Sequence, residues 1–146
     1  MASLQNQISN KKDIAKLSLI SGSVFSGSVQ GIDHKKYHII AGVNEGTCIV
    51  CTVLINSEIC RFIKSRPNAL DCQVKITQEK NDFLKHDSFV NCYNPEIAKY
   101  DVILEKIESS EFSFLGTIHE DDIDNVIETI KLSGALTPLQ EKLLFE

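Results

Sequence analysis

Two short segments combine histidine with lysine and could support acid–base chemistry. One is His34-Lys35-Lys36, which ends a polar stretch, and the other is Lys85-His86-Asp87-Ser88. Imidazole titrates near neutral pH, so it can take or give a proton in water. We expect Asp87 to orient His86. The alternative for each histidine is a surface or packing residue without chemistry.

Basic side chains are scattered through the first two thirds of the chain. They could follow a phosphate backbone if their loops converge, or they could be dispersed charges that serve solubility. The set consists of Lys35, Lys36, Arg61, Lys64, Arg66, Lys75 and Lys85. His38 lies in an apolar run, and we expect it to be a buried structural residue.

The cysteines do not indicate a metal site. Cys48 and Cys51 have C-x-x-C spacing, but positions three apart on a strand point to opposite faces. No second C-x-x-C follows, and no phosphate-binding glycine loop, H-E-x-x-H or G-x-S-x-G is present. We therefore predict buried, inert cysteines, no metal site and no cofactor.

Charge divides the chain into two parts. Of 146 residues, positions 1–100 carry 12 Lys+Arg against 9 Asp+Glu, whereas positions 101–146 carry 3 against 11. This balance differs from that of a general DNA-binding domain, whose pI is usually above about 9. No apolar run is long enough to cross a membrane, and the first residues, which lack a basic segment leading into an apolar one, argue against a secretory signal. We expect a cytoplasmic protein that does not bind membranes.

The apolar pattern predicts a central β-hairpin from Tyr37 to Leu54, with both faces covered, and a helix over Glu120–Leu132. A second short helix should start at Thr137-Pro138-Leu139-Gln140, which is a capping box. Glu96–Lys99 could form one helical turn, and Val102–Leu104 could form a strand.

These elements predict a mainly β fold with C-terminal helices. We expect a small, SH3-like, partly open barrel of five to six strands over residues 22–146. Residues 1–21 should form a polar arm, either loose or with one short helix.

The order of landmarks resembles the PemK/MazF-like family of toxins, and more closely its uncharacterised PemK-like branch. The landmarks are Lys35-Lys36, a strand ending at Ile55-Asn56-Ser57, an alternating strand over Gln73–Thr77, the segment Phe83 to Val90, and Gly116-Thr117-Ile118 before an acidic helix. The resemblance covers roughly residues 22–135.

The resemblance implies a toxin–antitoxin protein that is a homodimer, binds single-stranded RNA and is restrained by an antitoxin-like peptide. It further implies an endoribonuclease that needs no metal. The positions matching the family's active site hold Lys35 or Lys36, and Asn56 with Ser57, where the family usually has Arg and Thr. Such cleavage needs a base for the 2′-OH proton, a cation beside the phosphorane and an acid for the leaving oxygen.

We therefore predict two sets of site residues. The catalytic set is Lys35, Lys36, Asn56, Ser57 and His86, and the RNA-binding set is His34, Arg61, Lys64, Arg66 and Lys85. Two alternatives stay open: a non-catalytic protein-interaction module of the same fold, and an accessory protein that engages a partner through the N-terminal arm.

Overall fold

Six strands form one antiparallel sheet that is not closed into a cylinder. The computed structural model describes residues 4–146, with side chains from Asn10 onward. The strands are β1 (Ser23–Gly27), β2 (Lys36–Asn44), β3 (Ile49–Asn56), β4 (Gln73–Ile76), β5 (Ser88–Lys99) and β6 (Ser113–Thr117). They lie in the order β4-β5-β3-β2-β1-β6. The prediction of a mainly β fold with C-terminal helices is confirmed.

The predicted central hairpin is present as β2 and β3. Their pairing runs from Tyr37 opposite Ile55 to Asn44 opposite Ile49. Successive side chains of β2 enter two different cores, because neighbours on a strand point to opposite faces. Ile39 belongs to one core and Ile40 to the other, and both are fully buried. Both faces of the hairpin are therefore covered, as the sequence indicates.

Helices α5 (Glu120–Ser133) and α6 (Pro138–Phe145) cover one face of the sheet. The predicted Glu120–Leu132 helix is confirmed to within one residue. It ends at Gly134, whose φ of 70° is a conformation that glycine adopts without a Cβ clash. Helix α6 begins with the predicted capping box, in which the side chains of Thr137 and Gln140 each accept from the other residue's backbone N–H.

Helices α1 (Leu4–Ser18) and α4 (Tyr100–Glu108) pack against each other over the opposite face. Ala15 and Leu19 are buried there with Ile103. The N-terminal segment is thus a 15-residue helix, longer than the short helix considered above. Residues 1–3 of the predicted arm lie outside the described range. Across the described helices, none combines the length and apolar character that a membrane span requires.

Two local predictions are wrong. Glu96–Lys99 continues strand β5, because these residues pair with Ile49–Thr52 of β3 across a break in register. Val102–Leu104 lies within helix α4, where Tyr100, Ile103 and Leu104 are buried. These buried positions recur at i, i+3 and i+4, so a helical stripe was present in the sequence beside the β-branched residues.

Candidate functional site

One surface groove brings the two histidine–lysine segments together. It has a volume of about 170 Å³. Its lining residues are His34, Lys35, Lys36, Tyr37, Ile55, Ser57, Leu84, Lys85, His86 and Ser88. We call this the cationic groove. It gathers most of the predicted catalytic and RNA-binding residues, although the two segments are about 50 positions apart in sequence.

Strand β3 positions the groove because it lies between β2 and β5. The pairing of Tyr37 with Ile55 brings Lys36, at the start of β2, beside Asn56, at the end of β3. Lys36 Nζ donates a hydrogen bond to Asn56 Oδ1 over 2.6 Å. On the other side, Asn56 pairs with Phe89 of β5. The end of β3 thus meets the starts of both neighbours, and their loops converge there.

The loop that carries Lys85 and His86 is held by a buried asparagine. Asn81 is 1% exposed, and its Nδ2 donates to Thr77 O over 3.0 Å and to Asp122 Oδ2 over 2.9 Å. Its Oδ1 accepts from His119 N over 2.8 Å. These bonds tie the loop to the start of helix α5. Buried polar groups with all partners present make a rigid local structure.

His86 is oriented by a backbone carbonyl. Its Nδ1 lies 2.9 Å from Asp87 O, and a carbonyl can only accept, so Nδ1 carries the proton. In the neutral ring Nε2 then holds a lone pair, as a general base requires. The predicted role of the Asp87 side chain is wrong. That carboxylate instead accepts from Gln78 N over 3.0 Å, because it closes the loop rather than reaching the ring.

His34 is arranged in a similar way. Its Nδ1 lies 3.1 Å from Asp33 Oδ1, and both side chains are well exposed. The hydrogen bond from His34 lowers the pKa of Asp33 below its ordinary value. Within the described residues, Nε2 of neither His34 nor His86 has a hydrogen-bond partner. The Nε2 atom of each of these two rings is therefore available to a ligand.

Ser88 does not form a nucleophilic pair with His86. Its Oγ donates to His86 O over 3.0 Å and lies 3.4 Å from His86 Nδ1. A histidine that activates serine must accept the hydroxyl proton, whereas Nδ1 here is a donor. Ser88 and His86 are therefore not arranged as the nucleophile and base of an acyl-transfer enzyme.

Positive charge in the cationic groove is not neutralised locally. In the part of the chain with described side chains, no carboxylate lies within 4.0 Å of the ammonium group of Lys35, Lys36 or Lys85. Lys35 and Lys85 are exposed and Lys36 is half-buried. Uncompensated lysines beside two histidines favour an anionic ligand, since ammonium groups interact with phosphate as point charges.

The other predicted RNA-binding residues lie outside this groove. Helices α2 (Arg61–Lys64) and α3 (Pro67–Leu70) are single turns between β3 and β4. Lys64 lines a separate depression, and the Arg66 guanidinium lies 4.0 Å from the centroid of the Phe62 ring. Arg61 is exposed on α2. Lys75, exposed on β4, also lies outside the cationic groove.

Groups remote from the groove are structural. His38 is buried, donates from Nε2 to Gly27 O over 3.1 Å and packs on Phe112. Burial is the main cause that lowers its pKa. Burial also raises the pKa of Cys51 and of Cys92 to about 12, which makes both thiols poor nucleophiles. In the described range, no group of three or more His, Cys, Asp and Glu side chains is arranged to hold a metal ion.

Sequence reasoning missed an adjoining groove. It is lined by Phe62, Asn91 and Tyr93, together with Lys36 and Ser57 from the cationic groove. The sequence does place Phe62 next to Arg61 in the basic set, and an aromatic ring beside basic side chains can stack on a base. Asn91 and Tyr93 gave no such signal, since both lie on a strand among alternating residues.

Comparison with known proteins does not assign this site. The chain matches no family model and no curated protein, so its function has to be argued from the geometry of the groove.

Proposed function

We propose that this protein binds single-stranded RNA in the cationic groove and cleaves it without a metal ion. The observation that carries the proposal is the convergence of His34, Lys35, Lys36, Lys85 and His86 on one surface. Among the described residues, the Nε2 atoms of the two histidines have no hydrogen-bond partner, and the neighbouring lysine ammonium groups have no carboxylate partner. Together they supply the base, acid and cation that cleavage requires.

The proposed reaction is a transesterification within the RNA. His86 Nε2 takes the 2′-OH proton, and the 2′ oxygen attacks the adjacent phosphorus. The bond from phosphorus to the 5′ oxygen breaks, and protonated His34 gives a proton to that oxygen. Lys35, Lys36 and Lys85 stabilise the charged phosphorane. The products are a 2′,3′-cyclic phosphate and a 5′-hydroxyl end.

We also propose that the fold is an SH3-like, partly open barrel of the PemK/MazF-like type. The pairing shifts register between Val24 and Phe25, between Ile40 and Gly42, and between Thr52 and Leu54. Such irregularities bend strands and curl sheets, which supports a barrel-like curvature. By the same resemblance, the protein would form a homodimer, and an antitoxin-like peptide would bind in its cationic groove.

Cleavage of labelled single-stranded RNA in the presence of EDTA tests the proposal. The wild type should produce fragments ending in a 2′,3′-cyclic phosphate. His86→Ala should lower the rate at least about 100-fold, because general acid–base groups contribute about 10²–10⁴. His119→Asn is the matched control, since His119 caps helix α5 outside the groove and asparagine can keep that cap.

Induced expression gives a second readout. The wild type should arrest growth, and Lys35→Ala/Lys36→Ala should relieve the arrest at equal soluble protein. RNA binding without cleavage would reject the catalytic part of the proposal. Absence of both binding and cleavage would favour the protein-interaction module, a reading that the lack of arginine before Arg61 supports.

A further inference from the structure

A second groove continues from the cationic groove. The two share Lys36 and Ser57, so a strand bound along one would extend into the other. The second groove encloses about 480 Å³, within the range of about 300–1,000 Å³ typical of small-ligand sites. Its lining is mostly apolar and amide, with Phe62, Tyr93 and Asn91 among its members. We call it the amide groove.

Phe62 offers an unoccupied aromatic face. The residue is 62% exposed although phenylalanine is usually buried. The Arg66 guanidinium covers one face of the ring at 4.0 Å from the centroid. A ring has two faces, and the high exposure leaves the other open. Exposed aromatic rings beside arginine are typical stacking platforms for unpaired bases.

Three asparagines line this groove, Asn56, Asn91 and Asn94, and in the first two the side-chain oxygen is held by hydrogen bonds. Asn91 Oδ1 accepts from Gln73 Nε2 over 2.9 Å and from Tyr93 N over 3.2 Å. Asn56 Oδ1 accepts from Lys36 Nζ. With both oxygens engaged, the Nδ2 groups remain, and neither has an acceptor among the described residues. A ligand that offers two acceptors would satisfy them.

We infer that the amide groove binds one unpaired uracil of the RNA strand. The base would stack on Phe62, and its two ring carbonyl oxygens would accept from Asn56 Nδ2 and Asn91 Nδ2. Cytosine has the same size but carries an amino group in place of one carbonyl, so one donor would face another donor. This inference rests on the proposed RNA binding and adds a base preference to it.

The test compares hexauridylate with hexacytidylate, both as 2′-O-methyl oligomers that cannot be cleaved. Fluorescence anisotropy should show the wild type binding hexauridylate at least about fivefold more tightly, the lower end of what a good base contact contributes. Phe62→Ala should weaken binding of hexauridylate about tenfold, a typical effect of losing one stacked base. Phe114→Ala is the matched control, because Phe114 is also exposed, at 54%, but lies on the edge strand β6.

Asn91→Asp tests the amide readout separately. One carboxylate oxygen can keep the bonds from Gln73 and Tyr93, while the other replaces the donor with an acceptor. The added negative charge should weaken the binding of both oligomers alike, so the ratio of the two affinities is the readout. That ratio should shift toward hexacytidylate, because a carboxylate accepts from the cytosine amino group.

Three outcomes would overturn the inference. The wild type could bind both oligomers equally, Phe62→Ala could match Phe114→Ala, or Asn91→Asp could leave the ratio unchanged. In each of these cases the proposed RNA binding would stand. Failure of the wild type to bind either oligomer would overturn the proposed function itself, and this inference with it.

Discussion

Lys36 and Asn56 face each other across the end of the β2–β3 hairpin remote from its turn, with 2.6 Å between Nζ and Oδ1. This bond holds a cation at the junction of the cationic and amide grooves. It also fixes the orientation of the Asn56 amide. One contact therefore links the phosphate-binding part of the proposed site with the base-binding part.

Removing the lysine pair should change the salt dependence of RNA binding. Each lysine that neutralises a phosphate on single-stranded RNA contributes about 0.7 to the slope of log affinity against log salt. Lys35→Ala/Lys36→Ala should reduce that slope by about 1.4. The control is Lys11→Ala/Lys12→Ala, an adjacent exposed pair on helix α1. Anisotropy titrations from low to high salt measure the slope. Equal slopes for the two double variants would show that Lys35 and Lys36 do not neutralise phosphates of the bound RNA.

Asn81→Ala should destabilise the fold, because three hydrogen-bonded partners lose the buried Asn81 side chain. We expect a loss of about 2–3 kcal/mol in the free energy of unfolding. Urea unfolding measures it, and Asn125→Ala, at an exposed position of helix α5, should stay within about 0.5 kcal/mol of wild type. Similar stabilities for the two variants would mean that Asn81 does not anchor the loop.

Gly42→Ala should also be destabilising, for a steric reason. A Cβ at Gly42 would lie 2.8 Å from Leu144 O and 2.9 Å from the Phe145 ring, so helix α6 would have to move. Overpacking of this kind costs about 1–3 kcal/mol. Gly46→Ala is the control, because its Cβ would meet Asn44 Oδ1 at 3.5 Å, an ordinary contact. Thermal unfolding with equal midpoints for both variants would contradict the close packing of α6 on β2.

Stability should fall between pH 7.5 and 5.5 through His38. Burial lowers its pKa below the ordinary value of 6.5, while Gly27 O and Glu96 act in the opposite sense and Lys106 acts with burial. The unfolded chain therefore binds a proton first as the pH drops. The contribution of His38 is fully present above about pH 6.5 and is lost toward its folded-state pKa, by at most about 1.4 kcal/mol per pH unit.

His38→Gln isolates this effect, because glutamine is neutral throughout and can still donate to Gly27 O. Urea unfolding at pH 7.5, 6.5 and 5.5 should show the variant's stability changing less than that of the wild type. Parallel pH profiles would show that His38 does not titrate differently in the two states.

Local patterns predicted the elements whose signals do not depend on distant contacts. The β2–β3 hairpin follows from two apolar runs around glycine and asparagine. Helix α5 follows from one apolar stripe and an acidic first turn, and α6 from its capping box. Each of these signals is complete within about 20 residues, so neighbouring side chains and hydrogen bonds decide the structure.

Patterns within single segments were sufficient to predict the hairpin, helices α5 and α6, and the residue types that could bind an anion. The placement of His86 near Lys36, and of Asn91 beside Phe62 in the adjoining groove, depends on contacts between distant segments. The reason is the pairing of β5 with β3, which joins residues more than 30 positions apart. Such a pairing is selected by packing over the whole sheet, and the same packing extends β5 to Lys99. Val102–Leu104 is helical because the buried side of α4 packs against α1.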